Sequence, residues 1–330
     1  MNAGSDFTIA MPKRSEVDDI MEIMNLSFQD EFAVTGFDPQ KIRKMAKFML
    51  SPLGRFLLYI YKVGAGTEIL AYLGKEKRVP VSFAMMTLRK SRGYISSVAV
   101  HPGHRRQGYA RRTLARAIDD AKGRAGQLVL HVSVVNPSAK NLYLSVGFER
   151  FETLLTMVHE DVSILKEPIK SDRPVIREAR SSDKKRIFEL LKSSHSPDHQ
   201  KITPVHISDM GLSAFMGGKS KTFVHVIDGR LIGTATCSIP KGSMPTSIRR
   251  VAILNDIEPS MRADIVKALV HACASWSSQF RAGKCLLNIE LWEGTMDIVQ
   301  VLNTLGFSEG LRMDGMRLDL LENLSGPKAP

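Results

Sequence analysis

The stretch Val98-Ala99-Val100-His101-Pro102-Gly103-His104-Arg105-Arg106-Gln107-Gly108-Tyr109-Ala110 decides how the rest of the chain is read. An apolar, strand-like run from Tyr94 to Val100 meets a basic, glycine-bearing turn, and a long helical pattern follows at once. That order places free backbone N–H groups at a helix N-terminus, where the macrodipole favours negative charge. Gly108 and the small Ala110 let an anion come close to the main chain. Arg105 and Arg106 add charge and forked donors. The segment reads as a cradle for a pyrophosphate. It has neither the Gly-Lys-Ser/Thr ending of a P-loop nor the G-x-G-x-x-G of a dinucleotide fold, which excludes those two phosphate motifs.

The next elements extend the pattern. Leu128 to Val134 is apolar and rich in β-branched residues, a buried strand. Asn136-Pro137-Ser138-Ala139 then starts a helix that ends at Gly147-Phe148. Arg105-x-x-Gly108-x-Ala110, and after it Asn136-x-x-Ala139-x-x-Leu142-Tyr143-x-x-x-Gly147-Phe148, resemble motifs A and B of the GCN5-related N-acetyltransferases (GNAT). The resemblance covers about residues 7 to 159.

That resemblance implies acetyl-coenzyme A as co-substrate, with no metal. It implies that Arg105, Arg106, Gln107, Gly108, Tyr109, Ala110 and Asn136 bind it. Val98 and Val100 would bond the pantetheine arm through main chain, where family members splay the sheet. Tyr143 falls on the place of the proton donor; the alternative is a core aromatic with its hydroxyl satisfied by backbone. His131 stands twelve residues earlier, where the family often has a carboxylate base. An imidazole, with a pKa of about 6.5, suits proton abstraction at neutral pH. The alternative for His131 is a hydrogen-bonded structural histidine, and the strand around it is too uniformly apolar to assign faces. His101 and His104 read as hydrogen-bonding residues of the turn.

Composition sets outer bounds. At 330 residues and 43% hydrophobic, the chain has enough apolar content for two cored domains. No run is long enough to span a bilayer, and Met1 to Asp6 lacks the basic and apolar regions of a signal peptide. Three cysteines, Cys237, Cys273 and Cys285, in apolar or helical contexts and without zinc spacing, point to reduced thiols and a cytoplasmic setting. The net charge is +12, with 23 Lys/Arg against 15 Asp/Glu through residue 160 and 23 against 19 after it. The larger excess thus lies in the half with the cradle, where it would aid capture of an anionic cofactor. No aromatic-interleaved basic stripe supports a nucleic-acid partner. No membrane partner is expected, and a homodimer is left open.

The first half reads as a strand from Phe7 to Met11, then a helix capped by Ser15. A second helix runs over Pro39 to Leu50, and residues 52 to 66 are ambiguous between strand and helix. A hairpin and the two motif regions follow, with a last strand near Phe151 to Val158. Lys166 to Pro174 is a polar, proline-bearing linker. After it the pattern restarts, which makes an internal repeat of domain length. The expected fold class is α/β: two tandem GNAT folds, each a central mixed, mostly antiparallel sheet flanked by helices. The expected domains are a catalytic copy (1–165), a linker (166–174), a degenerate copy (175–322) and a tail (323–330).

The second copy departs where chemistry is expected. Asp256-Ile257-Glu258-Pro259-Ser260-Met261 replaces the basic turn, with Met261 aligned on Gly108. Leu302 takes the place of Tyr143, and Glu290 that of His131. Two carboxylates facing a pyrophosphate disfavour binding. Two function classes follow: an acetyl-CoA-dependent N-acetyltransferase acting on a protein N-terminus, a lysine or a small-molecule amine, and a non-catalytic acyl-CoA sensor or scaffold.

Overall fold

The computed structural model describes residues 6–29, 31–32, 38–89, 92–161, 163, 165, 176–195, 197–202, 218–240, 245–281 and 285–320. The expected linker, 166–174, and tail, 323–330, lie outside them. The chain forms two compact units. Unit 1 takes residues up to 33, 37–151 and those from 314 onward; unit 2 takes 34–36 and 152–313.

Unit 1 begins with β1 (Phe7–Ala10) and α1 (Val17–Ser27). Ser15 does not cap that helix. It sits inside a 3-10 turn, Arg14–Glu16, closed instead by the Glu16 carboxylate accepting from Lys13 N at 2.8 Å. Next come α2 (Pro39–Met49) and α3 (Pro52–Ala65). Each has proline in its first turn and a side-chain cap: Asp38 accepts from Gln40 N, and Ser51 from Gly54 N. The ambiguous stretch is therefore helix, started by Ser51-Pro52 and stopped at Gly66 in the left-handed region, φ 60°.

Strands β2 (Thr67–Glu76), β3 (Val79–Arg89) and β4 (Arg92–Val100) follow in antiparallel array. Then come α4 (Tyr109–Ala121), β5 (Gln127–Ser133) parallel to β4, and α5 (Pro137–Leu144). The sheet order is β1-β2-β3-β4-β5. On α4, Tyr109, Thr113, Leu114, Ala117, Ile118 and Ala121 are buried, one face at helical spacing. Leu114, Ala117, Ile118 and Ala121 pack on Ala84, Met86, Ile95, Leu128, Leu130 and Val132. Residues from 314 onward complete this core: Met316 and Leu320 are buried in it, and Leu320 N donates to Gly126 O at 2.8 Å. Asp314 receives Lys140 Nζ at 2.6 Å and Arg150 Nε at 3.0 Å.

Unit 2 repeats the plan. Its order is the 152–159 part of β6 (Glu149–His159), then β11 (Leu287–Trp292), β10 (Thr246–Ile253), β9 (Arg230–Ile239), β8 (Lys219–Ile227) and β7 (Ile176–Glu178). Only β10 and β11 run parallel. The helices are α6 (Lys184–Ser193), α7 (Pro197–Ile202), α8 (Pro259–Ser278) and α9 (Val299–Thr304). Each unit is thus a mixed, mostly antiparallel sheet with helices against it.

Candidate active site

The site begins with a fault in strand pairing. β3 and β4 pair as Met85↔Ser97 but then Met86↔Ile95, so Ser96 is the extra residue of a β-bulge. His101 N donates to Val81 O at 2.9 Å. Antiparallel pairs alternate between bonded and non-bonded, so Ala99 and Ser97 bond to β3 while Val98 and Val100 turn their main chain the other way. On that other side, β5 pairs with β4 only as far as Ile95↔Leu130, although the strands continue to Val100 and Ser133. A slot opens there, edged by the backbone of Val98 and Val100. The Val100 carbonyl is already approached by Ser27 Oγ and Arg105 Nε, each at 3.4 Å.

Beyond the slot lies the turn. Arg106 and Gly108 are left-handed, φ 66° and 81°, and Gly108 is the N-cap of α4. The first helical bond is Arg112 N to Gly108 O, 3.1 Å. Among the described residues, the amides from Arg106 to Arg111 donate to no protein acceptor. A Cβ at Gly108 would meet no atom within 4 Å, so the space beside these amides is open. This is a row of donors at a helix N-terminus, the arrangement that suits a phosphate.

The side chains in the turn have separate tasks. The Tyr109 ring is buried and stacked on Phe7 at 4.7 Å, and its hydroxyl donates to Gln107 Oε1 at 3.3 Å; only its amide faces the open space. Arg105 reaches back to Val100 O and, at 3.5 Å, to Leu26 O, which ties the turn to β4 and α1. His101 Nδ1 accepts from Gly103 N at 3.3 Å, and His104 Nδ1 lies 3.3 Å from Glu76. Asn136 caps α5, its Oδ1 accepting from Ala139 N at 3.0 Å.

Tyr143 and His131 take opposite faces of β5. Leu130, Val132 and Tyr143 share the core beneath α4, with Val98 packed against it. Burial, and to a smaller extent the charge of the Tyr94 phenolate, push the Tyr143 hydroxyl up to about 12. His131 alternates to the other face, where its Nδ1 and the Tyr94 hydroxyl lie 3.2 Å apart. Tyr94 thus meets His131 by hydrogen-bond distance and by ring contact. The sequence reading missed it, and its only signal was its place two residues before the bulge.

The face that carries His131 also carries a cavity. Tyr94 pairs with Thr87 across β3, and Met85 and Phe83 follow Thr87 on that face. Phe83 and Met85 line a cleft of about 430 Å³, bordered by α1, α2, α3 and β2. Six of the sixteen methionines, Met11, Met21, Met24, Met45, Met49 and Met85, line it. Polar groups are few: Arg55, Lys62 and Glu68, the last two paired at 2.9 Å. Methionine linings adapt to ligand shape.

Unit 2 keeps the frame and changes the contents. A bulge interrupts β9–β10 pairing between Arg249 and Ala252, and β10–β11 pairing stops at Ile248↔Ile289. Glu290 follows that last pair as His131 follows Leu130, and Arg249 Nε pairs with it at 3.1 Å. Phe307 N donates to Leu302 O at 3.1 Å, as Phe148 N does to Tyr143 O at 3.0 Å, so Leu302 stands for Tyr143. The expected match of Met261 to Gly108 is off by three. Arg262 N donates to Glu258 O, as Arg112 N does to Gly108 O, so Glu258 is the equivalent N-cap.

Comparison with known proteins places this geometry. The family model described as the Acetyltransferase (GNAT) family matches residues 18–148. A tandem GNAT protein from the clavulanic acid biosynthesis pathway superposes with TM-score 0.62 at 14% identity, over 98% of this chain and 100% of that one. A GCN5-related N-acetyltransferase from Sphaerobacter thermophilus gives 0.60 at 12%, over 96% of each chain. A putative acetyltransferase from Pyrococcus horikoshii gives 0.54 at 12%, over 95% and 89%. No curated protein matches the sequence. The fold is that of the tandem GNAT proteins. Residues 18–148 match the GNAT family model, and the likeness of fold extends over the whole chain.

Proposed function

We propose that unit 1 is an acetyl-CoA-dependent N-acetyltransferase, and that unit 2, which holds the second copy short of residues 314–322, is a degenerate unit without that activity. One observation carries the reading: free amides from Arg106 to Arg111, with open space at Gly108, lie next to a slot edged by Val98 and Val100. A pyrophosphate fits the first and an amide-bearing arm fits the second, so the residues present suit coenzyme A. When bound, acetyl-CoA supplies an activated acyl thioester.

The chain's own groups then divide the work. The amides and the α4 dipole hold the diphosphate, with the cation of Arg106 available in the same turn. The backbone of Val98 and Val100 orients the arm. Tyr143, at about 12, keeps its phenolic proton at neutral pH and can deliver it to a leaving thiolate. With the His131 Nδ1 proton donated to Tyr94 Oη, Nε2 keeps a lone pair for an incoming ammonium. The methionine-lined cavity, on the His131 face, would take an apolar portion of the amine substrate.

The test is an acetyl-transfer screen of the full chain with free-thiol detection, across peptides, polyamines, amino acids and aminoglycosides. Acceptor-dependent thiol release that Tyr143→Phe suppresses is the expected result. Acetyl-CoA binding with no release for any acceptor would replace this reading with a binding role.

A further inference from the structure

Helix α3, Pro-Leu-Gly-Arg-Phe-Leu-Leu-Tyr-Ile-Tyr-Lys-Val-Gly-Ala, is apolar on nearly every side, a composition proper to a buried helix. It is not buried. Arg55, Leu58, Tyr59 and Lys62 face the cavity. On the opposite side Leu53, Phe56, Leu57, Ile60 and Val63, at i, i+3, i+4, i+7 and i+10, form a stripe of residues 46% to 69% exposed. The polarity of a surface helix is reversed: its apolar stripe points to solvent. Helix α2 also exposes Lys41, Lys44 and Phe48 along one side, with Met45 between that side and the cavity.

Charge selects the occupant. Residues 39–66 hold six basic side chains and no acidic one. Asp18 pairs with Arg43 and Lys47, Asp38 with Lys41, and Glu68 with Lys62. With Arg55, Lys62 and Glu68 on the cavity side, Lys41, Arg43, Lys44 and Lys47 against Asp18 and Asp38 leave α2 positive, and Lys44 has no ion pair among the described residues. A second copy of the chain fits poorly. Self-association would set these cations against their own copies, and a single stripe falls well short of the roughly 20–30 residues a side of a stable dimer. An interfacial helix needs an apolar face, flanking Lys/Arg and an anionic surface, and the first two are present.

We propose that the outward face of α2 and α3 docks on an anionic lipid bilayer, the α3 stripe entering the boundary between headgroups and acyl chains. No helix among the described residues is long and apolar enough to cross a membrane, and docking needs none. The expectation of no membrane partner rested on the lack of such a span, which does not bear on surface binding.

The experiment is co-sedimentation of the full chain with vesicles of phosphatidylglycerol and phosphatidylcholine, against vesicles of phosphatidylcholine alone. Binding at least tenfold stronger to the anionic vesicles, and weakened by salt, is expected. Ile60→Asp should abolish it and Lys44→Glu reduce it, with thermal unfolding unchanged because both side chains are exposed. Absence of binding to anionic vesicles, or full binding by Ile60→Asp, overturns the proposal. So does a dimer that Ile60→Asp dissolves in a protein that ignores vesicles, or an acidic protein ligand held by this face under the same condition.

Discussion

Two turns in this chain leave equivalent strands and enter equivalent helices, and they differ in what they offer an anion. His101 N and Leu254 N close the sheet in the same way, on Val81 O and Ile232 O. From there seven residues lead to the N-cap Gly108, but only four to the N-cap Glu258. The longer turn has two left-handed residues and six unused amides. The shorter one places a carboxylate at the cap and a proline, without N–H, right after it. There Arg262 is committed to Leu254 O at 2.8 Å and Asp297 at 2.5 Å. Bulge, splay and helix return in both units, so the frame is encoded separately from the turn that follows it.

The strongest way to break this comparison is Tyr143→Phe, which gives unit 1 an apolar residue where unit 2 has Leu302. Turnover should fall by about 10²-fold or more while acetyl-CoA affinity holds, by steady-state kinetics and calorimetry. Unchanged turnover would remove Tyr143 as donor. In the unsubstituted chain the raised phenol predicts no alkaline loss of rate from this group until well above pH 10, because it keeps its proton below about 12.

Next in size is Gly108→Glu, which copies Glu258 into the cradle. It adds a carboxylate opposite the diphosphate and forces a side chain to φ 81°. Acetyl-CoA should bind about a hundredfold more weakly, close to 2.7 kcal/mol. Equal affinity would mean that the turn is not the binding site.

Asp314→Ala sharpens the role of the returning chain in unit 1. It removes the shared acceptor of Lys140 and Arg150, both partly exposed and able to rehydrate. A cost of about 1–2 kcal/mol is expected in denaturant unfolding. A further contrast concerns unit 2 in acid, where the effect per pH unit is modest. Burial, with His199 beside it, pulls His195 down to about 4. The unfolded chain then takes up that proton first, near 6.5. Stability should fall as pH drops from about 6.5 towards 4, by at most about 1.4 kcal/mol per unit. Both tryptophans, Trp276 and Trp292, lie in unit 2, so their fluorescence reports it, and His195→Gln should flatten the slope.

Much of the site was legible because it is local. Gly108, Tyr143 and the caps at Asn136 and Pro137 act over a few residues, and short-range chemistry leaves short-range marks. Helix α3 was ambiguous because a helix apolar on both sides has no period to read. The Met261 alignment slipped because a three-residue shortening is invisible until hydrogen bonds pin both ends of the turn. The face of His131 could not be read from an apolar strand; the register Tyr94↔Val129 assigned it.

The order of residues thus determined by itself the two repeats, the basic glycine-bearing turn and the acidic, proline-bearing turn that stands in its place, since propensity and charge travel with the chain. Tertiary structure alone decided that Tyr94 meets His131, that residues beyond 313 finish the core of unit 1, and that the α3 stripe faces outward. These depend on pairings between segments far apart in sequence, where the energy of burial and register, rather than any local preference, selects the partner.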